Sequence, residues 1–334
     1  MRFRLSQLSP MSKTSYSGSP TPRTIFVLGC ARSGTTLLRN ILGRHPFVDA
    51  FPETKFFQNI YSQRHLLNLL DKRTASARIA DCLIRSEYPG DQELFRRKRE
   101  SVRSIIEESG NLFDAFFTIL TELAERPICI EKTPWHSAFG DIIAKNMKNV
   151  TFIWVTRDPR AVTGSLLGRP HFRRNRTPIQ CAVRWLLLNR ILLKLEQDLP
   201  SERLYRIMFE DLIREPETIV SGLCGWMGVE PVSEMFQPPA GDTSYSGATP
   251  RPGIFDKGVL QRWRSRLSDH EEAQVTAIAM PLLKQLGYES EVTVSLSKMD
   301  GVAIALEKIL QSSMIRLMRS GFYPFGAFTK GASP

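Results

Sequence analysis

The sequence predicts an α/β protein: a parallel sheet flanked by helices, with an anion-holding loop after its first strand and a helical insertion. Three observations carry that expectation. Short apolar runs alternate with helical patterns along the chain, as in a sheet wrapped by helices. The first run leads into a glycine-bracketed loop and then a helix start, IFVLGCARSGTTLL over residues 25–38. Polar residues follow the apolar runs, and in open α/β sheets ligands collect just outside the carboxyl ends of strands.

The elements follow in order. Residues 1–22 are Ser/Pro-rich and lack the apolar core of a secretory signal, so they predict a disordered tail. The first strand is expected over 24–28. Gly29 and Gly34 then occupy the glycine positions of the nucleotide-triphosphatase pattern G-x-x-x-x-G-K-[ST], but Thr35 stands where the lysine belongs and a cation, Arg32, appears inside the loop. This P-loop-like cradle points N–H groups at an anion. Without the lysine, that anion is not expected to be an ATP γ-phosphate.

A short strand over 48–51 precedes Glu53, and residues 60–125, charged and leucine-punctuated, read as a helical insertion carrying the basic run FRRKRESVR at 95–103. Further strands are expected over 127–130, followed by Glu131 and Lys132; over 150–156, followed by Arg157 and Asp158; and over 204–209. Pro159 suits a helix first turn, with Ser165 eight residues beyond Arg157. An arginine fork and a serine hydroxyl grip phosphate, which makes a second phosphate site.

The 334 residues, 42% hydrophobic, favour one large domain over residues 23–290 rather than two, with a C-terminal helical extension over 291–334. Within it, 302–318 is amphipathic, with Lys308 and Arg316 on its polar side. Docking on the domain is expected, with peripheral membrane contact or dimerisation as alternatives. No apolar run approaches the roughly 18 residues of a membrane span. The net charge of +11 favours anionic partners. Five widely separated cysteines without a CxxC pair read as free buried thiols of a reducing compartment, and a cytoplasmic location is expected.

CARSGTTLL resembles the 5′-phosphosulfate loop, and VTRDPRAVTGSLL (155–167) the 3′-phosphate motif, of sulfotransferases that use 3′-phosphoadenosine 5′-phosphosulfate (PAPS). The resemblance extends over about residues 24–290. It includes YRIMFEDLIREPETIVSGLCGWM (205–227), GVLQRWRSRLS (258–268) and MPLLKQLGY (280–288), and is nearest to the tyrosylprotein-type branch and its bacterial relatives. It implies cofactor binding by Arg32, Ser33, Gly34, Thr35, Thr36, Arg157 and Ser165, with release of 3′-phosphoadenosine 5′-phosphate (PAP). It also implies Glu53, in HPFVDAFPETKFF, as base, with Lys132 and Arg32 steadying the sulfuryl group and no metal. The cytosolic branch carries a K-T-H-L-P pattern, and Pro134 stands at that histidine's position here.

Alternatives stay open at this point. His136 and Glu131 are rival bases. An ATP-dependent small-molecule kinase and a non-catalytic nucleotide- or polyanion-binding module are rival functions. Among acceptors, a protein tyrosine, a glycan or glycolipid hydroxyl and a small metabolite are all compatible. The arginine-rich loop GRPHFRRNRTP (168–178), with Arg169, Arg173, Arg174 and Arg176, suggests a lid over the nucleotide or a grip on an anionic acceptor, and nucleic acid is not expected as a partner. Ser246, Arg251 or Lys257 are expected near phosphate.

Overall fold

The computed structural model describes residues 21–85, 92–237, 255–288 and 296–323. Most of the expected tail, and Ser246 and Arg251, lie outside the described residues. At the centre stands a sheet of five parallel strands in the order β2-β3-β1-β4-β5. The strands are β1 (Arg23–Leu28), β2 (Val48–Ala50), β3 (Ile128–Glu131), β4 (Val150–Thr156) and β5 (Leu204–Met208). β1 is apolar on both faces, and a strand buried on both sides needs helices above and below it. Phe26 and Leu28 enter one core with Phe152 and Trp154. Ile25 and Val27 enter the other with Ile130, Ile153 and Val155, as a side-chain period of two requires. β1 lies between β3 and β4, so the connections run to opposite sides and the crevice beyond its carboxyl end is the switch point where ligands bind.

Helix α1 (Thr35–Leu42) follows the loop after β1. The expected insertion lies between β2 and β3 as α2 (Phe56–Asn59), α3 (Arg64–Leu67), α4 (Lys72–Ile84), α5 (Gln92–Arg97), α6 (Arg99–Glu108) and α7 (Leu112–Leu123). It is fused to the sheet rather than separate from it: Phe56 stacks on Phe116 at 4.0 Å, and Phe116 meets Phe26 of β1 at 6.2 Å. Two cations of its basic run are paired at the surface, Arg99 with Asp81 at 2.8 Å and Arg103 with Glu100 at 3.1 Å.

The remaining helices are α8 (Gly140–Asn146), α9 (Pro159–Leu167), α10 (Pro170–Asn175), α11 (Pro178–Asp198), α12 (Phe209–Arg214), α13 (Pro216–Met227), α14 (Asp269–Leu283) and α15 (Lys298–Ser320). Several starts are written in the sequence. Asp158 caps α9 ahead of Pro159, and Thr177 with Gln180 forms a capping box for α11.

The arginine-rich stretch, expected as a loop, contains α10, because Pro170 supplies a pre-formed first helical turn. α15 is longer than the 302–318 pattern, its start set by a capping box of Ser297 and Asp300. It docks on the domain through buried Ile315 and Met318, and Gln311 donates to the Gln180 carbonyl at 2.9 Å. All five cysteines are buried and free. Among the described residues, no helix is long and apolar enough to cross a membrane.

Candidate active site

The loop after β1 is held from three sides. A Cβ on Gly29 would lie 2.6 Å from the Val155 carbonyl oxygen, so β4 approaches too closely for any side chain there. Ser137 grips the same residue, its hydroxyl accepting from the Gly29 N–H at 2.8 Å and donating to the Gly29 carbonyl at 3.1 Å. Gly34 has φ of 96°, and a Cβ on it would meet the Phe209 ring at 2.2 Å. Arg32 adopts φ of 74°, a conformation that costs a side-chain-bearing residue about 1–3 kcal/mol. Arg157 holds it there, donating through Nη1 to the Arg32 carbonyl at 2.9 Å. Helix α1 opens without a side-chain cap, so its first N–H groups have no intrahelical acceptor and its positive dipole end faces the crevice. The Ser33 hydroxyl is buried without a protein partner beside them. This arrangement fits a compact anion such as a phosphosulfate.

Lys132, at the end of β3, is 1% exposed; its ammonium ion-pairs with Glu53 and donates to the Thr36 hydroxyl at 3.2 Å. One cation thus joins the start of α1 to the segment after β2. Glu131 faces the other way and is buried. It accepts from the hydroxyls of Thr54 at 2.8 Å and Thr133 at 2.6 Å, and pairs with His136 Nδ1 at 2.8 Å. Burial pushes its carboxyl up, but the His136 ring and the Thr133 and Thr54 hydrogen bonds outweigh that and hold it below the usual carboxylate range. His136 is fully buried, and its Nε2 accepts the Phe57 N–H at 3.3 Å. Both ring nitrogens are therefore engaged inside the protein. The two rival bases belong to the scaffold beneath the site, whereas the Glu53 side chain keeps 13% of its surface open.

Arg157 follows β4 and is 3% exposed, stacked 4.1 Å above the Phe209 ring. Its Nη2 donates to the Val259 carbonyl at 3.4 Å, and its Nε is buried without a partner. Asp158 pairs with Arg160 at 2.6 Å rather than with its neighbour Arg157. Ser165 on α9 accepts from Arg32 Nε at 3.2 Å, which links the loop to the second motif. Lys257 lies two residues before Val259, on the segment that Arg157 touches.

Support comes from residues whose roles sequence reasoning missed. Trp185 donates to the Arg157 carbonyl at 2.9 Å. Glu210 accepts the Asp158 N–H at 3.0 Å and the Tyr288 hydroxyl at 3.1 Å. Burial pushes the Glu210 carboxyl up and the Tyr288 phenol well up. Glu210 stands in the quoted E-D-L turn, a signal that could have found it; Trp185 and Ser137 had none.

The model of the sulfotransferase family matches residues 22–234, well over half of the chain. The chain belongs to the sulfotransferase family. The nodulation protein NoeE of Sinorhizobium fredii is 25% identical over 302 residues, 82% of this chain and 68% of that protein. Protein-tyrosine sulfotransferase A of Caenorhabditis elegans is 23% identical over 284 residues, 79% of this chain and 67% of that protein. The sulfotransferase domain of the Synechococcus olefin synthase superposes with a TM-score of 0.58 at 21% identity, covering 84% of this chain and all of that domain. That likeness speaks to the fold, a P-loop-like parallel sheet. Membership makes sulfuryl transfer the reaction, so the kinase alternative is set aside.

Proposed function

We propose that this sulfotransferase moves a sulfuryl group from PAPS to an acceptor hydroxyl, with Glu53 as base, and releases PAP. One observation carries the reading: the Lys132 ammonium contacts both the Thr36 hydroxyl of the cradle and the Glu53 carboxylate. A pure polyanion binder has no use for a carboxylate beside its anion site. A transferase needs both, a cation for the charge that develops and a base for the acceptor proton. Arg32, Lys132 and the N–H groups of residues 33–36 would hold the 5′ end of the donor, and Arg157 with Ser165 its 3′-phosphate. PAPS supplies an activated sulfuryl group on a phosphate leaving group. The cations and amides oppose charge that spreads over transferring oxygens, in a site largely closed to water. Glu53 takes the hydroxyl proton once Lys132 turns to the anion.

The acceptor hydroxyl belongs to a molecule with anionic character. Arg184 on α11 stacks on Trp135 at 5.0 Å, with its Nε buried and unpartnered. Burial and the charge of Arg176 push Arg184 below the ordinary arginine range, a state that a bound anion would relieve. Arg173, expected in this role, is already engaged by Glu271 at 3.0 Å. A tyrosine in an acidic segment satisfies the requirement, as does a hydroxyl on an acidic glycan. Transfer from radiolabelled PAPS to a panel of such acceptors tests the reading. Glu53→Gln should lower turnover by about 10²–10⁴ while PAP affinity is unchanged. Near-normal turnover in that variant would remove Glu53 as the base.

A further inference from the structure

The C-terminal helix carries two apolar faces, and the domain uses only one of them. Ile315 and Met318 are buried against the body, with Gln311 between them and Asp300 at the helix start. On the opposite side Met299, Val302, Leu306, Ile309, Leu310 and Leu317 are 42–77% exposed. At about 100° per residue these six fall within an arc of about 100°. They form a stripe along α15, interrupted at Ser313, rather than scattered surface hydrophobes. Phe322, 56% exposed and stacked on His65 at 4.5 Å, continues the apolar surface past the helix end.

The two charges that border the stripe have one sign. By the same spacing Lys298 and Arg316 lie about 20° outside one edge. The helix carboxylates are turned away: Glu307 is bonded to Gln311 at 2.7 Å on the docked side, and Asp300 is held by Ser297 at 2.7 Å and Gln274 at 2.6 Å. A second copy of the helix complements this badly. Antiparallel pairing, in which like edges meet, would set Lys298 opposite Arg316 with no acid on that edge to offset the repulsion. An anionic lipid surface fits both features, since apolar side chains enter the acyl boundary while lysine and arginine meet the headgroups.

We infer that α15 seats this sulfotransferase on anionic membrane surfaces through the stripe from Met299 to Leu317. The proposal is independent of which group acts as base and of the acceptor. The test is co-sedimentation of the full chain with vesicles of phosphatidylcholine alone and of phosphatidylcholine with phosphatidylserine. Binding should require the anionic lipid and weaken with salt. Leu306→Gln with Ile309→Gln should reduce it tenfold or more, because about 0.8 kcal/mol is lost per methylene left out of the lipid and 1.4 kcal/mol is a factor of ten. Lys298→Gln with Arg316→Gln should reduce the preference for phosphatidylserine by about fivefold per charge. The substituted side chains are exposed, so unchanged far-ultraviolet dichroism and urea midpoint establish that the variants fold. Absence of binding to either vesicle overturns the proposal, as does equal binding to both. Sedimentation equilibrium showing a dimer that the glutamine pair dissolves overturns it in favour of a subunit interface.

Discussion

A lysine as buried as Lys132 is tolerable only where its charge is matched, and Glu53 and Thr36 match it. Sequence position placed Lys132 and Glu53 after two strands, but their contact depends on how β2 and β3 pair. The same reasoning applies to Arg157, whose fork is split between the Arg32 and Val259 carbonyls with Nε left over. Arg157→Ala should lose about 1.5–3 kcal/mol more of PAP binding than of AMP binding, since AMP lacks the 3′-phosphate and shares only the cost of the loosened Arg32 loop. Calorimetry with both nucleotides decides, and equal losses would detach Arg157 from the 3′-phosphate. Glu131 gives a prediction in pH. Its carboxyl lies below its unfolded value of 4.5, so the stability it contributes is complete above about 4.5 and is lost as pH falls through the lower folded value. Glu131→Gln should therefore be less stable than the parent at neutral pH, by about 1–3 kcal/mol, and the two should converge on acidification. Urea midpoints across that range measure it, and a gap that stays constant would refute the ionised network.

At the scale of elements, strands and helix starts were legible because their signals are local: short apolar runs, Pro159 and the Thr177–Gln180 box. What the sequence could not supply was the neighbour of each element. Gly34 matched a phosphate-loop pattern, yet the structure adds a second reason for it, the Phe209 ring at the start of α12. Gly34→Ala should cost about 1–3 kcal/mol through strain at φ 96° and more through the clash. Gly110, around which a Cβ meets nothing within 4 Å, should accept alanine within about 0.5 kcal/mol. Thermal unfolding of the pair makes the comparison, and equal shifts would mean that the loop yields. His136 shows the opposite limit, since its neighbours in sequence gave no sign that Phe57 and Glu131 would enclose it.

For the whole molecule, the proposed nucleotide contacts come from the loop, α1 and the strand ends together, so a bound nucleotide should stabilise the fold globally. PAP at a hundred times its dissociation constant should add about 2.7 kcal/mol, and AMP at the same concentration much less. Sulfuryl transfer should survive EDTA, because Arg32, Lys132 and the loop amides supply the positive charge. Loss of transfer restored by Mg²⁺ would contradict that assignment. The charge of +11 is spread unevenly. Arg99, Arg103 and Arg173 are tied to carboxylates, whereas the Arg184 Nε is buried without a partner.

The sequence by itself determined the sheet, the glycine-bracketed loop and the Arg157–Ser165 motif, because each rests on residues adjacent in the chain whose patterning and turn chemistry act locally. It also placed Glu53, Lys132 and Arg157 at strand ends. Only the tertiary structure decided which of the possible bases stays open to the crevice. That choice depends on the packing of Phe57, Thr54 and Thr133 around Glu131 and His136. It likewise decided which face of α15 the domain covers, since both faces are apolar and only the shape of the docking surface distinguishes them.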